Sequence, residues 1–172
     1  QRPGTGTVVD KALPEAVALV HGSWPYGGDE VLERAPRLRA VLEVLGGHSR
    51  PTFPYDYCFG RGIRVLSCSP AFAPQVAEMA LGLAIAATRG IAQGDRLFRT
   101  GQEVYQMAGN EGSFLLYNKP VGMVGFGALG RALLPLLGPF RVSVSAYDPW
   151  LPDAVLREAG CTPRALDDLL AT

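Results

Sequence analysis

Residues 119–150 read KPVGMVGFGALGRALLPLLGPFRVSVSAYDPW, a stretch that parses as strand, turn, helix and strand. Positions 121–124 form a short apolar run of strand type, and Gly125, Phe126, Gly127, Ala128, Leu129 and Gly130 spell the turn G-x-G-x-x-G. From 128 to 137 leucines recur at helical spacing, with Pro135 expected to kink or shorten the last turn because it lacks an N–H for the helix ladder. Positions 142–147 alternate as a second strand, and Asp148 closes it.

Each residue type in this turn has a mechanical task in a dinucleotide site. Gly125 permits the sharp turn out of the strand, Gly127 admits a pyrophosphate close to the backbone because no Cβ intervenes, and Gly130 lets the helix lie near the strand. The diphosphate then meets free N–H groups and the positive dipole end of the helix beginning near Ala128. Asp148 follows Gly130 at about the twenty-residue separation at which a carboxylate ending the second strand accepts bonds from the adenosine ribose hydroxyls. The same acid repels a 2′-phosphate, and no Arg or Lys follows it before Arg157, so NAD is expected over NADP. A glycine-rich β-to-α turn that binds nothing accounts for the glycines alone. It leaves the flanking strand, the helix and the acid unexplained as a set.

With 172 residues the chain is long enough for one domain or parts of two. Hydrophobic residues make up 48% and charged residues 19%, the balance of a globular rather than a disordered chain. Lys plus Arg equals Asp plus Glu at 16 each, so no global field draws nucleic acid or an anionic membrane, and neither is expected as a partner. Cys58, Cys68 and Cys161 contain no C-x-x-C pair and are odd in number, which fits reduced thiols in a cytosol better than a disulfide framework or a zinc site. His21 and His48 are too isolated to propose a metal centre, and a loop histidine such as His48 is more often solvated or hydrogen-bonded than an acid–base group. The longest strongly apolar run without a charge, 79–88, is about half of a bilayer span. A soluble, cytoplasmic protein is expected.

Ahead of the central stretch, residues 1–10 are polar and of doubtful order. Positions 16–20 and 38–45 read as apolar strands that empty into glycine-containing loops, the second at Gly46 and Gly47, with Asp29 a plausible N-cap for a helix that Pro36 closes. The irregular segment 48–62 has room for one short helix, and 63–67 is a third strand. Strands alternating with helices imply a parallel sheet whose ligands sit beyond the carboxyl ends of the strands. From 71 to about 93 the chain is apolar on nearly every face, with Glu78 its single charge before Arg89, so burial between two bodies and a domain junction are expected there. After Asp148 the chain is expected to form a helix over 154–159, a brief strand over 160–162 and a short helix over 164–170.

The string GRGIRVLSCSPAFAPQVAEMALGLAIAATRGI at 60–91, followed by VGMVGFGALGRALLPLL at 121–137 and YDP at 147–149, resembles the D-isomer-specific 2-hydroxyacid dehydrogenases. The likeness runs from Glu30 onward and is most specific at Val76-Ala77-Glu78 and at the glycine turn. It implies an α/β protein in which a Rossmann-type doubly wound parallel sheet, incomplete here, is preceded by a smaller flavodoxin-like α/β substrate domain, also incomplete. On this pattern residues 1–70 belong to the substrate domain, and 71–172 to a crossing helix and the NAD-binding domain. The resemblance further implies hydride transfer between NAD and a small 2-hydroxy or 2-oxo acid, in homodimers held through the nucleotide domains. Carried over by position, Ala128 and Leu129 offer backbone N–H groups to the pyrophosphate, Asp148 holds the ribose, and Gly46 and Gly47 face the substrate carboxylate. Where the family shows G-x-G-x-D, this chain has Gly46-Gly47-His48-Ser49, and Phe72 stands where the family commonly has Asn. No residue matches the family's catalytic Arg, Glu and His. The chain is therefore expected to be the N-terminal portion of a longer protein, inactive by itself.

Two other readings compete. An NAD-binding module that performs no chemistry shares the turn and the acid. A methyltransferase-type nucleotide fold also ends its first strand on glycines and its second on an acid, but the third glycine and the long apolar helix fit it poorly.

Overall fold

The computed structural model describes residues 8–22, 24, 28–44 and 53–171. The chain divides into two compact units, Gln1–Phe72 and Ala73–Thr172, each carrying one three-stranded parallel sheet.

In the first unit helix α1 (Val8–Ala12) tightens into a 3-10 turn, and the chain then alternates β1 (Ala18–His21), a 3-10 helix (Asp29–Arg34), β2 (Ala40–Glu43), α2 (Tyr55–Gly60) and β3 (Arg64–Ser67). The strands lie in the order β1-β2-β3, in register through Val20, Leu42 and Leu66. Leu32, Val41 and Cys58 are the most enclosed side chains of this unit's core. Arg34 reaches back to Asp10 at 2.7 Å, tying the 3-10 helix to α1. Asp29 was expected to cap a helix, but it lies within the first turn of a six-residue 3-10 helix with Gly28 before it and no side-chain cap.

Helix α3 (Ser69–Thr88) spans the division between the units, and α4 (Ile91–Arg99) and α5 (Gln106–Gly109) follow it. One continuous helix to about residue 93 was expected; the chain instead breaks at Gly90, whose φ of 61° is left-handed and suits a residue without Cβ. The all-round burial expected of α3 is also not found. Ala73 and Ala77, one turn apart, are its only buried residues, while Phe72, Val76, Met79 and Leu83 are exposed. Uniform apolarity reports the lack of a polar face and not what covers the helix. With 20 residues and a mean hydropathy of 1.3, α3 is long and apolar enough to cross a bilayer by length and composition alone. A span centred on it would carry the Glu78 carboxylate to the hydrocarbon midplane at a cost of about 3 kcal/mol.

The rest of the second unit is β4 (Pro120–Val124), α6 (Ala128–Leu137), a 3-10 turn (Gly138–Phe140), β5 (Ser143–Tyr147), α7 (Asp153–Glu158), β6 (Thr162–Pro163) and α8 (Leu166–Leu170). The sheet order is β4-β5-β6, with Val121 beside Val144 and Val124 beside Tyr147. Pro135 was expected to kink or shorten the last turn of α6; the helix ends two residues later, at Leu137, and tightens into 3-10 geometry. Met123, Phe126, Leu137, Ala146 and Leu156 form the core, so strand, turn and helix all contribute side chains to one apolar cluster.

Candidate functional site

The turn between β4 and α6 is shaped by its three glycines in three ways. Gly125 adopts a φ of 88°, which side-chain-bearing residues rarely do, and its N–H donates to the Tyr147 carbonyl at 2.7 Å, extending the β4–β5 ladder into the turn. Gly127 precedes α6 with extended backbone, and a Cβ built on it meets no atom within 4 Å. The space in front of the helix start is therefore open. At Gly130 a Cβ would lie 3.2 Å from the Gly125 carbonyl oxygen, 3.2 Å from the Phe126 ring and 3.8 Å from Met123 Sδ. Absence of a side chain there is what lets α6 lie against the strand.

Phe126 points inward and is 1% exposed. With its ring in the core, Phe126 fixes the position of its own backbone in the turn. Its N–H donates to Asp148 Oδ2 at 2.8 Å, across 22 residues of sequence. The other carboxylate oxygen, Oδ1, accepts from the Trp150 and Leu151 amides at 2.9 and 3.0 Å. These bonds hold the Asp148 carboxyl below the usual carboxylate range, the Phe126 amide first among them, with the Arg131 guanidinium adding a smaller pull. An ionised carboxylate accepts at about four sites, so with three taken Asp148 keeps room for a hydroxyl donor.

No side chain caps the start of α6. The Ala128 and Leu129 amides lie in its first turn, where backbone N–H groups lack helical acceptors and the dipole favours an anion. Gly125, Gly127, Ala128, Leu129, Gly130 and Asp148 are thus brought together at the carboxyl ends of β4 and β5. An open cradle without side chains, free amides and a neighbouring ionised acid fit a dinucleotide's diphosphate and ribose.

Arg131 was not singled out from sequence. Its Nε donates to the Phe126 carbonyl at 3.4 Å and its guanidinium lies 5.9 Å from the centre of the Phe126 ring. The available signal was its position directly after the third glycine, in the first turn of the helix.

In the first unit Gly46, Gly47 and His48 lie outside the described residues. His21, at the end of β1, is enclosed by aromatic rings, stacked on Phe53 at 5.2 Å and edge-on to Trp24 at 5.4 Å. Its register partner Glu43 is buried and accepts from the Tyr55 hydroxyl at 2.9 Å. Among the described residues no three His, Cys, Asp or Glu side chains gather as a metal site. A cavity of about 510 Å³ beside α4, lined by Arg89, Leu97, Glu103 and Asn110, shares no residue with the glycine turn.

The family model described as D-isomer specific 2-hydroxyacid dehydrogenase, NAD binding domain, matches residues 81–172. The D-3-phosphoglycerate dehydrogenase of Mycobacterium leprae is 32% identical over 160 residues, which cover 93% of this chain and 29% of that protein. The glyoxylate reductase of Pyrococcus horikoshii is 29% identical, over 93% of this chain and 48% of its own length. Among solved structures, a phosphoglycerate oxidoreductase from Rhizobium etli superposes with a TM-score of 0.77 at 38% identity, covering 93% of this chain and 49% of that one. The chain thus spans about half, or less, of the length of these relatives.

Proposed function

The chain belongs to the D-isomer specific 2-hydroxyacid dehydrogenase family through its NAD-binding domain, and from that premise we propose that it forms the nucleotide half of an oxidoreductase acting on a small 2-hydroxy or 2-oxo acid. The observation that carries this reading is the bond from the Phe126 amide to Asp148, which joins the glycine turn to the acid of the next strand. In this reading Gly127 leaves the approach open, the Ala128 and Leu129 amides bind the diphosphate, and Asp148 accepts from the adenosine ribose while repelling a 2′-phosphate. NAD, when bound, supplies the hydride acceptor or donor. Gly46 and Gly47 are assigned to the substrate carboxylate, which backbone N–H groups of a glycine loop can bind without a side chain in the way. A cytoplasmic homodimer that contacts neither membrane nor nucleic acid completes the proposal.

Calorimetric titration of the chain with NAD, together with an NADH-absorbance assay of the whole gene product on glyoxylate, hydroxypyruvate and 3-phosphoglycerate, tests it. Saturable NAD binding and turnover of one of these acids are the expected results. NAD binding without turnover of any 2-hydroxy or 2-oxo acid by the gene product would instead identify a non-catalytic NAD module. No NAD binding would remove the reading altogether.

A further inference from the structure

In sequence, Asp148 stands without a neighbouring cation, since no Arg or Lys follows it before Arg157. The fold supplies one from the other direction. Arg131 turns back from the first turn of α6 onto Phe126, donating to its carbonyl at 3.4 Å with the guanidinium over its ring. The N–H of the same residue is bonded to Asp148. Phe126 is therefore flanked by the acid on its amide and the cation on its carbonyl. Arg157, by contrast, is engaged with Asp153 at 2.9 Å on α7. Arg131 is exposed and forms no ion pair among the described residues.

We propose that Arg131 determines cofactor choice jointly with Asp148, so that the preference for NAD is a balance of two opposed charges rather than the work of the acid alone. The inference rests on the reading that the turn holds a dinucleotide. A 2′-phosphate on the adenosine ribose would meet repulsion from Asp148 and attraction from a guanidinium, whose planar fork matches phosphate oxygens. Contact with the Phe126 ring and carbonyl restrains the Arg131 side chain, so less rotamer freedom is lost when it engages an anion. Neutralising the acid should then uncover a cation already in place.

The test compares dissociation constants for NAD and NADP in the parent chain, Arg131→Ala, Arg131→Lys, Asp148→Ser and the double variant Asp148→Ser/Arg131→Ala, at two salt concentrations. Using the NADP-to-NAD ratio within each protein cancels differences in folded fraction. Arg131→Ala is expected to weaken NADP about tenfold more than NAD, the loss of one charge-assisted contact, and Arg131→Lys to recover part of it. Asp148→Ser should improve the NADP ratio by about tenfold or more, with a steeper salt dependence, and the double variant should lose that gain. An Arg131→Ala ratio equal to the parent's, or a double variant that keeps the NADP gain, overturns the role of Arg131 while leaving the dinucleotide site standing. A parent chain that binds neither cofactor overturns both.

Discussion

Replacing Gly130 and Gly127 singly by alanine separates the two tasks of the turn. At Gly130 the added carbon would lie 3.2 Å from the Gly125 carbonyl oxygen and from the Phe126 ring. Neither neighbour gives way easily, because Gly125 is bonded to the Tyr147 carbonyl and Phe126 sits in the core. Helix propensity acts in the opposite direction and favours alanine over glycine inside α6 by about 1 kcal/mol. Overpacking a filled core costs about 1–3 kcal/mol, so the net is a loss of about 1 kcal/mol, or about 4–8 °C in Tm for a unit of this size. At Gly127 no atom lies within 4 Å of the added carbon, and its φ of −74° is not in the left-handed region reserved for glycine. Stability there should change by less than about 0.5 kcal/mol. The methyl instead fills the space through which a diphosphate approaches the α6 amides, and NAD affinity should fall at least about tenfold, the equivalent of one charge-assisted hydrogen bond. Urea denaturation of both variants and NADH fluorescence titration of Gly127→Ala measure the two effects. A Gly130→Ala chain as stable as its parent, or a Gly127→Ala chain with parental NAD affinity, refutes the reasoning.

Other outcomes follow from the same geometry. Phe126→Ala should cost about 3–5 kcal/mol in urea unfolding, as deletion of a fully buried ring does, and a loss below 1 kcal/mol would show that the ring does not anchor the turn. The Asp148 carboxyl is held below its ordinary 3.8, so its contribution is present above that value and is lost as pH falls through the lower, folded-state value. The gap in urea midpoint between the parent and Asp148→Asn should accordingly be present at pH 7 and close below 3.8; a gap independent of pH would contradict this. The buried Cys58 thiol is pushed up to about 11 by desolvation and then by Asp29, so its contribution to stability is full below 9.0 and fades as pH rises toward 11. At pH 8 it should resist iodoacetamide in the folded chain and react in urea, as followed by mass spectrometry.

The parts of the fold that were legible in the sequence are those fixed by local chemistry. β4, the glycine turn, α6 and β5 fall where apolar alternation, three glycines and leucine spacing put them, because each is determined within a few residues. The break between α3 and α4 was also signalled, by Gly90 after Arg89, but the apolar Ile91 and Ala92 beyond it keep the helical pattern running and obscure the stop. The left-handed backbone at Gln106 has no glycine or proline beside it to announce it, and the glycine and proline that flank Asp29–Arg34 mark its ends without fixing its 3-10 geometry. At the site, the grouping of the glycines with Asp148 was readable because it depends on a fixed separation. The approach of Arg131 to Phe126 was not, since it depends on which way a long side chain folds over a ring once that ring is buried.

β5 is the middle strand of its sheet, bonded along β4 on one side and β6 on the other, with the Arg164 amide donating to the Ala146 carbonyl and the Gly125 amide to that of Tyr147. A central strand is expected to fray last, and its amide hydrogens to exchange with deuterium more slowly than those of the edge strands. Asp148 follows directly on this strand, so its carboxylate is expected to share the slow opening of the sheet's centre. Thermal fluctuation would loosen the outer edges many times before it displaced the carboxylate.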